Sequence, residues 1–180
     1  FPEMDAYLVS KIFADWEAAG GAADTTALTA ENVLTVFDNW MAVMDDKNVP
    51  ATGRILYVTP AIKTILKQAK ELTRFVQNGD SAINRAVRSL DEVTIESEPS
   101  SLMKTAYDFT EGYAAGAGAK QINMLLIHPS AVITPEKYVF AQLDAPCAGS
   151  EGKYVYFEES YDDVFVLNKR KDAIMFNTVA

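Results

Sequence analysis

From Ile55 to Val58 the chain runs through aliphatic, aromatic and β-branched residues without a polar break, and the rhythm then changes at once. An unbroken run of this kind suits a strand buried on both faces. Behind it Ile62, Ile65, Leu66 and Ala69 recur at helical spacing. Pro60 takes the first helical position, where its missing N–H costs nothing, and Thr59 stands where its hydroxyl is expected to cap the first turn. The same order returns at Ile122–Ile127, broken only at Asn123 and closed by His128-Pro129. Two such strands are expected side by side in one sheet.

Elsewhere the pattern is helical or alternating. Tyr7, Leu8, Ile12 and Trp16 make an apolar stripe for a helix over 3–18 that ends at Gly20-Gly21. A small, polar connector over 22–28 leads to Thr29, the expected cap of a second helix from Ala30 to about Asp46. Val33, Leu34, Phe37, Trp40, Met41 and Met44 share one face of that helix, which reads as core packing against a sheet. Asp45 to Pro50 turns the chain into the first core strand. A turn is expected at Asn78-Gly79, then a hairpin in which Ile83 and Val87, and Val93 and Ile95, mark two short runs separated near Asp91-Glu92 and ending at Pro99. From Ser100 to Lys120 large apolar residues are too few for a core element, so an exposed loop is expected. The apolar run Tyr138–Ala141 is followed by a surface connector at 146–152 and a run at Tyr154–Phe157. Val164–Leu167 and Ile174–Phe176, joined by a charged turn, are expected to form a hairpin.

Charge and chemistry narrow the function. A formal charge of −9, with 25 acidic against 16 basic residues, argues against a nucleic-acid-binding surface. The one cysteine, Cys147, excludes an internal disulfide framework, and one histidine, His128, leaves too few ligands for a structural zinc site. No apolar stretch reaches membrane-helix length, no basic signal-peptide start is present, and a soluble protein is expected. Because the chain opens on Phe1-Pro2, a fragment of a longer protein is also expected.

Catalytic patterns are weak. His128 ends a strand beside Pro129, where a hydrogen-bonded structural role outweighs a general base, and Ser130 lacks a nucleophile elbow. Cys147 has no basic neighbour to lower its pKa. Gly112–Gly118 has neither Walker spacing nor a helix start behind it. Asp45-Asp46, Glu158-Glu159 and Asp162-Asp163 read as solvated faces before weak cation sites. No catalytic, cofactor or metal residue is assigned.

The order of several segments resembles the major capsid protein of tailed bacteriophages. These are Asp45-Asp46 to Thr59-Pro60, the hairpin ending Pro99-Ser100-Ser101, Gly118 to Val132, and Tyr161 to Leu167. The resemblance implies an α+β fold of the Hong Kong 97 type. Residues 22–142 would form an axial domain with a central mixed sheet flanked by helices. Residues 1–21 and 143–180 would form part of a peripheral domain with a β-hairpin. A fragment lacking the family's N-terminal arm, extended loop and spine helix is expected. It implies a structural subunit of an icosahedral shell, located in the virion capsid and assembled in the host cytoplasm. Its partners would be copies of itself in pentamers and hexamers, with scaffolding and portal proteins, and without nucleic-acid specificity or a membrane. The loop carrying Tyr107, Phe109, Tyr113, Gly116 and Gly118 would then face neighbouring subunits at the capsomer centre, mobile in the isolated subunit and ordered there. The competing expectation is a compact loop pinned by its three aromatics. Encapsulin-like shell protein, soluble acidic α/β binding module and carboxylate hydrolase stand as alternatives.

Overall fold

The computed structural model describes residues 2–69 and 89–179. The turn expected at Asn78-Gly79 and the run marked by Ile83 and Val87 fall outside the described residues. The core is a five-stranded mixed sheet built from β1 (Ile55–Val58), β2 (Ser89–Leu90), β3 (Val93–Ser97), β6 (Gln121–Ile127) and β11 (Ile174–Val179), in the order β11-β6-β1-β3-β2. β1 runs antiparallel to β6 with Leu56 opposite Leu126, and parallel to β3. The two runs expected to neighbour each other therefore do. β2 and β3 turn through Asp91 and Glu92, both at positive φ (45° and 67°), the backbone twist that a two-residue hairpin requires.

One sheet face, with Leu56, Val58, Met124 and Leu126, is fully buried and shares a continuous core with α2 (Val33–Asp46) and α3 (Pro60–Gln68). Val33, Phe37, Trp40 and Met44 are the inward side of α2, as their spacing predicts. The other face is covered unevenly by α1 (Pro2–Ala18). Phe13 and Trp16 pack on Phe176 at centroid distances of 5.0 Å each. Ile55 and Tyr57 remain half-buried beside a recess of about 430 Å³ that Leu8, Val9 and Ile12 also line. Burial of β1 on both faces is thus corrected to one face, because α1 covers the β11 and β6 side first.

Several local expectations are corrected. The Thr59 hydroxyl makes no cap bond to α3, while the Thr59 backbone N–H donates to Asn123 O (3.1 Å), stitching the strand exit to β6. α2 begins at Val33 because Asn32 folds back, accepting from Thr29 N–H (2.7 Å) and donating to Ala27 O (2.8 Å). In α1 the most buried positions are Ala6, Phe13 and Trp16, with Tyr7, Leu8 and Ile12 half-buried. The terminal hairpin does not form. β10 (Phe165–Val166) pairs with β7 (Val132–Ile133), β11 pairs with β6, and a 3-10 turn over Asn168–Ala173 carries the chain from one sheet to the other. From that turn Lys171 donates to Ala19 O (3.0 Å) at the end of α1 and accepts at its own carbonyl from Trp16 Nε1 (3.1 Å).

Arg54, just before β1, is fully buried. Its Nε donates to Pro50 O (2.9 Å), and Nη2 to Val49 O and Asp45 Oδ1 (both 2.6 Å). The guanidinium therefore fixes the turn between α2 and β1 from inside. Outside the core, β8 (Glu136–Asp144) and β9 (Val155–Asp162) form a two-stranded ribbon whose side chains are exposed almost throughout. The expected 142/143 boundary falls inside β8.

Candidate functional site

The segment singled out for subunit contact is ordered by its own chemistry. Tyr107–Asp108 (β4) pairs with Ala114–Ala115 (β5), making a short hairpin where a bare loop was expected. Asp108 nucleates the turn by accepting from the Thr110 hydroxyl (2.6 Å) and N–H (2.9 Å), which hold its carboxyl below the usual range, the hydroxyl first. Tyr107 is the anchor. Its hydroxyl donates to Ser101 O (2.9 Å) and accepts from Lys104 N–H (3.0 Å), and its ring lies 5.8 Å from Phe109 and 6.4 Å from Tyr113. Phe109 also meets Tyr7 of α1 at 6.2 Å. Gly116 passes close to the facing strand entry, where a Cβ would stand 3.3 Å from Ala106 C and Tyr107 N. Gly118 takes φ 73°, a conformation that side-chain-bearing residues rarely adopt. The five residues thus lie in or beside one hairpin held by contacts within the chain, including one to α1.

Burial pushes the Tyr107 phenol up to about 12 from 10.0. Because the folded pKa is raised, its contribution to stability is complete below about 10 and is lost as pH rises towards about 12. Alkaline difference spectroscopy should show Tyr107 ionising last, after Tyr7, Tyr57 and Tyr156, whose phenols are raised less. Tyr107→Phe should remove that late step and lower amide protection over the hairpin by about 1–2 kcal/mol, since Lys104 N–H and Ser101 O lose their partner. Unchanged protection would show that the rings alone hold the segment.

Polar candidates elsewhere are used internally. His128 Nδ1 accepts from Ser130 N–H (3.1 Å) and lies 2.7 Å from Ser130 Oγ, while Nε2 faces Thr52 O at 3.2 Å. Both ring nitrogens hold loops together, and no carboxylate among the described residues bonds the ring. Asp45 is spent on Arg54, and Asp163 accepts from Tyr7 OH (3.1 Å) and from Val164 N–H (2.7 Å). Cys147, at the ribbon's far loop, departs from expectation: the Ser150 hydroxyl, then the Ser150 and Gly149 N–H groups, lower its pKa. Sequence spacing put Tyr7 on the α1 stripe but not in its bridging role, in which contacts to Phe109 and Asp163 join α1 to both the hairpin and the strand exit. No local signal marks it, because its partners lie far along the chain.

No family model matches the sequence, and no curated protein is significantly similar to it. Solved structures are similar in fold. The chain aligns over 99% of its length with a chain of the bacteriophage PhiM1 mature capsid at a TM-score of 0.67 and 15% identity. It aligns over 95% with a chain of the cyanophage P-SCSP1u capsid at 0.63 and 16%. The chain has the phage-capsid fold. A structure from Mycobacterium phage Che8 matches 98% of it at 0.63 and 15% identity. In these three matches the chain spans about three fifths of the matched chain's length, between 58% and 61%. The shared architecture is α+β of the Hong Kong 97 type, with the mixed sheet and its helices lying inside the matched region.

Proposed function

We propose that this chain is a structural subunit of an icosahedral phage capsid, self-assembling through protein–protein contacts to enclose the DNA genome, and that it has no catalytic role. The observation that carries the proposal is fold similarity over 95% or more of the chain to capsid structures from separate phages. The commitment of His128, Asp45 and Asp163 to internal hydrogen bonds is consistent with it. In this reading residues 22–142 form the axial domain and 1–21 with 143–180 part of the peripheral domain, so that the ribbon β8–β9 straddles their junction. The hairpin over 107–118 faces neighbouring copies in pentamers and hexamers, with Phe109 (43% exposed) as its apolar contact. Scaffolding and portal proteins are the further partners.

Sedimentation velocity on the gene product that contains this chain tests the proposal. Particles of shell size are expected, and a sample that stays monomeric at high concentration contradicts it.

A further inference from the structure

Among the described residues no other element packs along the ribbon β8–β9, yet it is rich in large apolar groups. Tyr138, Phe140, Leu143, Tyr156, Phe157 and Tyr161 are between 37% and 65% exposed. An isolated two-stranded ribbon is at best marginally stable in water, both its strands are edges, and an apolar surface of this extent is unusual on a monomer. Tyr138, Phe140, Phe157 and Tyr161 share one ribbon face; with aromatic side chains offering roughly 150–250 Å² each, these half-exposed rings supply a few hundred Å². That is a substantial part of the ~800 Å² per partner of a standard interface. The ribbon is also acidic: residues 136–162 hold six carboxylates against two lysines, a formal charge of −4.

A second surface of the same chain has the opposite character. Ile133 and Phe165, paired across β7 and β10, are 50% and 47% exposed, and Leu167 beside them is 38% exposed. Lys169 and Arg170 follow directly, with Arg170 N–H bonded to Leu167 O (2.7 Å). Both side chains are exposed and without an ion pair among the described residues. Lys11 lies 5.5 Å from the Phe165 ring, but its ammonium is paired with Asp15 (2.7 Å), so the net positive charge of the patch is that of Lys169 and Arg170. This patch is apolar and basic where the ribbon is apolar and acidic. Ribbon on ribbon would set like charges together, while ribbon on patch pairs unlike ones.

We infer that one face of the ribbon, bearing Tyr138, Phe140, Phe157, Tyr161 and Glu159, docks on the Ile133–Phe165–Leu167 patch of a second copy, with Glu159 facing Lys169 and Arg170. The contact is heterologous, so each copy both gives a ribbon and receives one, and repetition builds a ring or lattice. This inference rests on the shell reading for its partner, a second copy of the chain.

The test mixes two defective chains. Chain one carries Lys169→Glu and Arg170→Glu, keeps its ribbon, and bears a fluorophore on Cys147 in the ribbon loop. Chain two carries Phe157→Ser and Glu159→Gln, which spoil that ribbon face without adding a charge to match the glutamates of chain one, and keeps its patch. Circular dichroism first checks that both fold as the parent does. Each alone should associate at least tenfold more weakly than the parent chain. Mixed, they should form a 1:1 dimer, seen as a rise in anisotropy that salt reverses, because one intact ribbon meets one intact patch. No rise on mixing overturns the inference, as does a parent chain that never self-associates. If shells form from the gene product while all these substitutions leave association unchanged, the shell reading stands and the ribbon contact alone fails. If the mixed dimer forms but no shell is ever seen, the shell reading fails and the contact stands.

Discussion

Replacing Arg54 with alanine is expected to destabilise the fold by about 3–5 kcal/mol, the cost of breaking a buried charged network from one side. The guanidinium is fully buried and serves two carbonyls, Val49 O and Pro50 O, in addition to Asp45. Truncation leaves those carbonyls without donors and opens a cavity between α2 and β1. The partner is not equivalent. The Asp45 side chain is 61% exposed, so Asp45→Asn should cost only about 1 kcal/mol, as befits a solvated carboxylate. Arg54→Lys should recover little, since an ammonium cannot make the planar fork of hydrogen bonds. Urea titration reads all three as shifts of midpoint. Equal losses for Arg54→Ala and Asp45→Asn would show that the ion pair, and not the carbonyl cradle, fixes this turn.

Trp40→Ala should cost a similar 3–5 kcal/mol, the usual range for truncating a large core aromatic. Trp40 is 7% exposed on the inner face of α2 with Phe37 at 1% and Met44 at 0%. For a domain whose whole stability lies in the range of ~5–15 kcal/mol, that loss leaves a marginal fold. Val43, 43% exposed on the same helix, provides the control: Val43→Ala should change stability by no more than ~0.5 kcal/mol. A comparable loss at both positions would mean that helix formation, and not packing of one face, is what the substitutions report.

These two sites were unequally legible. The Trp40 face follows from helical spacing, and β1 and β6 follow from apolar runs too long and too pure for a surface strand. Arg54 carries no such signal, because burial of a cation depends on where the chain brings Val49 and Pro50. Val164–Leu167 and Ile174–Phe176 alternate correctly for strands, but alternation does not say with whom a strand pairs. Each found a partner distant in sequence, Val132–Ile133 and Gln121–Ile127. Caps were misplaced at Thr29, where Asn32 folds back and takes the N-cap position, and at Thr59, whose hydroxyl makes no cap bond. At the 107–118 hairpin the small residues were read correctly as poor in burial. The Tyr107 hydroxyl and the ring of Tyr7, which supply the missing order, act through bonds that spacing does not encode. The same blindness hid the ribbon: Tyr138–Ala141 and Tyr154–Phe157 have core-like composition, and only the structure places them in solvent.

The central claim is that this fold works as a wall element. Cryo-electron microscopy of particles formed by the gene product that contains this chain tests it most directly. The account predicts closed icosahedral shells whose repeating wall unit is this sheet with α1, α2 and α3 around it, and with the 107–118 hairpins converging on five-fold and six-fold axes. Particles whose wall is another protein, or a gene product that forms no shell and remains monomeric, would contradict it.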